Sequence, residues 1–172
     1  YVLHGGISFF RFLSPTPPQI EGISFMTTLI IARHGNTFGP NDTPTRVGAR
    51  TDLPLVGKGE EQAKALGRYL ADNRLIPDVV YSSNLQRTIQ TAKIAIKESG
   101  ITNPVFQLDI FNEVDFGPDE NKPENDVLDR IGAQAIKDWD EHAIVPPGWK
   151  IVPAEDIENW RQFADQICAH DD

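Results

Sequence analysis

The chain has 172 residues, 40% of them hydrophobic and 24% charged, a length and balance that suit one globular domain and exclude disordered and membrane-embedded classes. Its formal net charge of −9 opposes binding to nucleic acid or to an anionic membrane, since both require a basic surface; any anion must be held by a few local cations. The single cysteine, Cys168, cannot close an internal disulfide, which points to a reducing, cytoplasmic setting.

Residues 1–13 are apolar but interrupted by His4, Gly5, Gly6 and Arg11, without the basic region of a signal peptide, and read as folded protein or as a leader. From Met26 onward strands alternate with helices, the pattern of a single three-layer α/β/α domain with a mostly parallel central sheet. The run Thr28-Leu29-Ile30-Ile31-Ala32 suits a central strand buried on both sides, and it ends directly in Arg33-His34-Gly35. Residues 40–59 form an ordered loop rich in glycine and proline. The spacing of Ala63, Leu66 and Leu70 predicts a helix over residues 59–73, and residues 78–81 form the next strand. Ser82-Ser83-Asn84 offers N-cap chemistry for a helix carrying Leu85, Ile89, Ala92 and Ile96, which Gly100 stops. A third strand is predicted at 105–108, a loop at 111–123, and helices at 124–142 and 154–170 on either side of Val145-Pro146-Pro147-Gly148.

His34 stands where open α/β sheets place their ligands, at the carboxyl end of a strand. A neutral imidazole there can attack phosphorus and form a covalent intermediate; Arg33 can neutralise phosphate oxygens, and Gly35 lets the backbone approach a bulky anion. An Arg-His-Gly tripeptide by itself is more often an ordinary hydrogen-bonded histidine at a strand end. A second block shifts the balance, because Asp78-Val79-Val80-Tyr81-Ser82-Ser83-Asn84-Leu85-Gln86-Arg87-Thr88-Ile89-Gln90-Thr91-Ala92 again runs from strand to helix and places Arg87 in the first turn.

Together with Asp52-Leu53-Pro54-Leu55-Val56-Gly57-Lys58-Gly59 and Phe111-Asn112-Glu113-Val114-Asp115-Phe116-Gly117, these blocks resemble the histidine phosphatase superfamily, the phosphoglycerate mutase-like family. The resemblance implies that fold, with His34 as the nucleophile, Arg33 and Arg87 binding the phosphoryl group, and Glu113 as proton donor to the leaving oxygen and then as base. It further implies substrate contacts from Asn36, Thr37 and Arg46, with Arg50 competing for the last role. Asn36 departs from the usual Glu or Gln. The partner implied is a small phosphorylated metabolite, with no cofactor and no metal.

The family carries a second catalytic histidine in a His-Gly motif near its carboxyl end. Here His142 and His170 sit on polar helical faces and read as solvated, whereas the motif occurs as Val2-Leu3-His4-Gly5-Gly6. Joining Asp172 to Tyr1 restores the family order, with Met26 where an ordinary member begins. The chain is therefore read as a single domain, 1–172, with a main body at 26–172 and a circularly permuted segment at 1–25. In that arrangement His4 stands on a strand beside residues 28–32, opposite Arg33. The alternative is a leader at 1–25. The leading function is a phosphatase; a mutase is second, disfavoured because Gly48-Ala49-Arg50-Thr51-Asp52 replaces that group's Gly-Trp-x-Asp, and a binding module is third. A metal hydrolase is disfavoured by the lack of a His-Glu-x-x-His helix. Trp139 and Trp149 either line a pocket or pack a lid.

Overall fold

The computed structural model describes the backbone of residues 7–12 and the whole of residues 28–168. Four strands, β1 (Ile7–Phe12), β2 (Thr28–Arg33), β3 (Val79–Ser82) and β4 (Val105–Gln107), form one sheet in the order β2-β1-β3-β4. β1 pairs antiparallel with both neighbours, Ile7 facing Arg33 and Ser8 facing Ser82, while β3 and β4 pair in parallel. It follows that β2, β3 and β4 all run one way and end at one edge, with β1 as the exception in a mostly parallel sheet.

Four helices, α1 (Gly57–Asp72), α2 (Gln86–Glu98), α3 (Glu124–His142) and α4 (Pro153–Cys168), complete an α/β fold with helices on both sheet faces. Successive strand residues face opposite ways, and here they separate two cores. Val80, Ile30 and Ala32 pack with Leu70, Ala92 and Ala95 of α1 and α2, whereas Tyr81 and Leu29 pack with Phe111, Phe163 and Ile167 beneath α4. Tyr81 and Phe111 each meet Phe163 edge-on, at 5.3 and 5.0 Å. No described helix is long and apolar enough to cross a membrane.

Two local expectations change. Among the described residues β2 is an edge strand, because β1 takes the slot between it and β3, and Ile31 is 43% exposed rather than buried on both sides. The helix after β3 is not capped by its serines: it starts at Gln86, whose N–H donates to Asp52 Oδ1 at 2.6 Å. Ser83 instead closes the turn, accepting from Leu85 N and sharing a hydrogen bond with Thr88 at 2.6 Å. α3 has the bounds expected of it but is broken at Gly132, whose φ of 80° and ψ of 153° are not helical.

A third apolar cluster lies outside the sheet. Val114, Phe116, Trp139 and Trp149 are buried together, the two indoles edge-to-face at 5.3 Å. Asp119, 1% exposed, ties this cluster down by accepting from Trp149 Nε1 at 2.7 Å and Arg130 Nε at 2.5 Å. Both tryptophans thus pack a core.

Candidate active site

His34 leaves the end of β2 into a turn that is anchored on three sides. Gly35 N donates to Thr91 Oγ1 of α2 at 3.0 Å, Asn36 N donates to Gln62 Oε1 of α1 at 2.8 Å, and Val56 N donates to Asn36 O at 3.0 Å. The turn also presses directly on the start of α1. A Cβ on Gly35 would stand 2.3 Å from Gly59 O, and one on Gly59 would stand 2.2 Å from Asn36 O, so only glycine fits at either position.

The imidazole is oriented by its own turn, its Nδ1 lying 2.7 Å from Gly35 O. A carbonyl can only accept, so Nδ1 carries the proton and Nε2 keeps its lone pair. The ring also stays neutral into acid: its pKa is lowered from 6.5 to about 4, chiefly by burial, with Arg87 and Arg33 adding to the effect and the Gly35 bond opposing it.

Arg87 is fully buried beneath this turn. Nη1 donates to Thr51 O at 2.9 Å and Nη2 to Gly48 O at 3.3 Å, while Nε has no hydrogen-bond partner among the described residues. Burial works against its charge and lowers its pKa, and the carboxylates of Glu113, Asp52 and Glu120 counteract this. Residues 47–51 thus form a collar around the guanidinium. The collar is held in turn by Glu120, which accepts from Gly48 N at 3.2 Å, Arg50 N at 3.4 Å, Phe116 N at 3.2 Å and the Thr51 hydroxyl.

A cleft of about 770 Å³ opens over the turn and brings Arg33, His34, Asn36, Thr37 and Glu113 to one wall. Glu113 Oε1 accepts from Val114 N at 3.0 Å. A second cleft, about 910 Å³, shares Glu113 and is lined by Asp109, Asp115, Glu155, Asp156 and Lys150. Arg46 is directed elsewhere: its Nη2 meets both oxygens of Glu124 at 2.7 Å, and its guanidinium lies 5.1 Å from the Trp149 ring and 5.3 Å from that of Phe116. Arg50 pairs with Asp115 at 2.9 Å and with Gly117 O. His142 is exposed, and His4 and His170 lie outside the described residues. Among the described residues no group of three or more His, Cys, Asp or Glu side chains is placed to hold a metal.

Residue reading missed Thr91, Gln62 and Glu120, which anchor the turn and the collar. Thr91 had a signal, since it lies one helical turn from Arg87 in the quoted block. Glu120 had none, because its partners in the collar are 69 to 72 residues away in sequence.

Comparison with known proteins agrees with this geometry. The model of the histidine phosphatase superfamily (branch 1) matches residues 29–171. A 2,3-bisphosphoglycerate-dependent phosphoglycerate mutase of Tropheryma whipplei (strain Twist) is 32% identical over 123 residues, 71% of this chain and 55% of the relative; the chain spans about half the length of the curated relatives it matches. Among solved structures, a mycobacterial glucosyl-3-phosphoglycerate phosphatase in complex with inorganic phosphate superposes with a TM-score of 0.60 and 22% identity over 79% of this chain and 60% of that one. A putative alpha-ribazole-5'-P phosphatase from Escherichia coli K-12 superposes with a TM-score of 0.59 and 24% identity, over 78% and 64% respectively. At such identities the structures speak for the fold alone. The fold, the family match and the motifs at His34 and Arg87 agree, and the chain belongs to the histidine phosphatase superfamily, branch 1.

Proposed function

We propose that the chain is a metal-independent phosphatase that hydrolyses a small phosphorylated metabolite through a phosphohistidine on His34. The observation that carries this reading is the Nδ1 bond to Gly35 O, which leaves Nε2 as the nucleophilic nitrogen on a cleft that also holds Arg33 and Glu113. Nε2 attacks phosphorus as the ester P–O bond breaks, and the acid form of Glu113 gives its proton to the departing oxygen. Glu113, now a carboxylate, takes a proton from water whose oxygen attacks the phosphorus. The P–N bond breaks, releasing inorganic phosphate and neutral His34. Arg33 and the buried charge of Arg87 stabilise the phosphoryl oxygens throughout; Asn36 and Thr37 are proposed to contact them or the leaving group. His4 is proposed as a further donor, supported by the pairing of Ile7, three residues on, with Arg33.

Mutase chemistry, in which phospho-His34 returns its group to another hydroxyl, is favoured by the name of the Tropheryma relative. It is disfavoured by Gly48-Ala49-Arg50-Thr51-Asp52, which lacks the mutase tryptophan. The test is turnover of an aryl phosphate with a chelator present, on the parent chain and on His34→Ala, with trapping of an acid-labile phosphoenzyme. Release of inorganic phosphate that disappears with His34 supports the proposal. Activity surviving His34→Ala removes it, and transfer between the hydroxyls of 3-phosphoglycerate, offered as a second substrate, without phosphate release replaces it with the mutase.

A further inference from the structure

The cleft over His34 is far larger than a phosphoryl group, at about 770 Å³, within the range of small-molecule sites. Its wall bears on what the remainder of the substrate is. Away from His34 the wall includes Thr37, Phe38, Pro44, Thr45, Val47 and Leu66, which are hydroxyl-bearing or apolar, and the uncharged amides of Asn36 and Gln62. Among the described residues the only formal charges on the wall are Arg33 and Glu113.

A phosphoryl dianion placed at His34 engages Arg33 and the field of Arg87, and no described cation on the wall is left over. Two further arginines lie in the neighbouring loop, and both are committed. Arg46 is clamped by the two oxygens of Glu124 and lies over the rings of Phe116 and Trp149, while Arg50 is bound to Asp115 and to Gly117 O. A second anionic group in the cleft would therefore lose its water without gaining a cation, a costly transfer. It would also face Glu113, beside a second cleft lined by four more acids and one lysine, in a chain of net charge −9.

We infer that the substrate carries one phosphate on a leaving group without a second anionic group, built from hydroxyls and apolar carbon. This rests on the phosphatase reading of the same cleft and deepens it. Phosphoglycerates, whose carboxylate needs a cation of its own, are poor ligands. Arg46 and Arg50 then have structural roles: they pin the collar to the segment that carries Glu113 and Glu120.

The test compares glycerol 3-phosphate, a neutral aryl phosphate and 3-phosphoglycerate, by kcat/KM on the parent chain and by calorimetric binding to His34→Ala, which needs no turnover. The expected result is a preference of at least about tenfold for both neutral esters over the carboxylate ester in each measurement, equivalent to about 1.4 kcal/mol. Phe38→Lys, which adds a cation to the wall, is expected to narrow that gap. Equal or better binding of 3-phosphoglycerate, or a gap unmoved by Phe38→Lys, overturns the inference. Neutral esters bound preferentially but never hydrolysed would uphold it while removing the phosphatase reading; hydrolysis with the carboxylate ester preferred would do the reverse.

Discussion

Two stretches of chain frame the cleft, and different physics holds each. The nucleophile turn at 33–37 is set by backbone pressed on backbone at Gly35 and Gly59 and by hydrogen bonds to the uncharged Thr91 and Gln62. The collar at 47–51, with Arg46 before it, is set by charged groups: Arg46 on Glu124, Arg50 on Asp115, and four donors on Glu120. Steric contact does not depend on pH or on the charge of a bound anion, so His34 keeps its place when either changes. Charged contacts respond to both, and the collar is the part that acid or a carboxylate substitution loosens first.

The largest expected effect breaks the steric side. In Gly35→Ala the new methyl meets the Gly59 carbonyl, backbone that cannot rotate away, and stability should fall by about 3 kcal/mol; a thermal melt unchanged from the parent would show that the turn opens at little cost. Thr91→Val keeps the shape but leaves the buried Gly35 N–H without an acceptor, costing about 2 kcal/mol in chemical denaturation and lowering kcat more than it raises KM. Glu120→Gln tests the charged side. It keeps one carbonyl acceptor, so the chain should lose about 1 kcal/mol yet bind inorganic phosphate more weakly, because Arg87 is less firmly collared. Unchanged phosphate affinity would separate the collar from the site.

Acid sharpens the contrast without mutation. The His34 pKa drops from 6.5 to about 4, so between those values the unfolded chain binds more protons than the folded one. The stability linked to neutral His34 is complete above pH 6.5 and is lost as pH falls through about 4. The acid limb of kcat/KM due to His34 is therefore expected near pH 4; a limb at 6.5 would mean that the ring is not held neutral. For Asp115 and Asp119, burial raises the pKa, but bonds from Arg50 and Gly117 in one case and from Arg130 and Trp149 in the other more than offset it, and both values end below the usual 3.8. Their contribution is present above that value and disappears as pH falls through the lowered one.

The nucleophile turn was legible in the sequence because its parts are contiguous. A β-branched strand, a histidine and a glycine follow one another, and the Arg87 block repeats the strand-to-helix pattern. The helices were legible from their spacing, and α3 appears with the expected bounds, because periodicity reports which face is buried. The fate of Arg46 was not legible. Its contacts with Glu124, Phe116 and Trp149 come from segments far along the chain, and the residues around an arginine in sequence do not show its counter-ion. Glu120 was invisible for the same reason.

What the sequence determined by itself is local and periodic: the alternation of strands and helices from Met26 onward and the motifs that mark the family. The tertiary structure alone decided that β1 runs antiparallel between β2 and β3, and that Arg46 pairs with Glu124 and Arg50 with Asp115. Alternation along a strand has no direction, and a side chain's charge does not name its partner; both are settled only when distant segments are brought together.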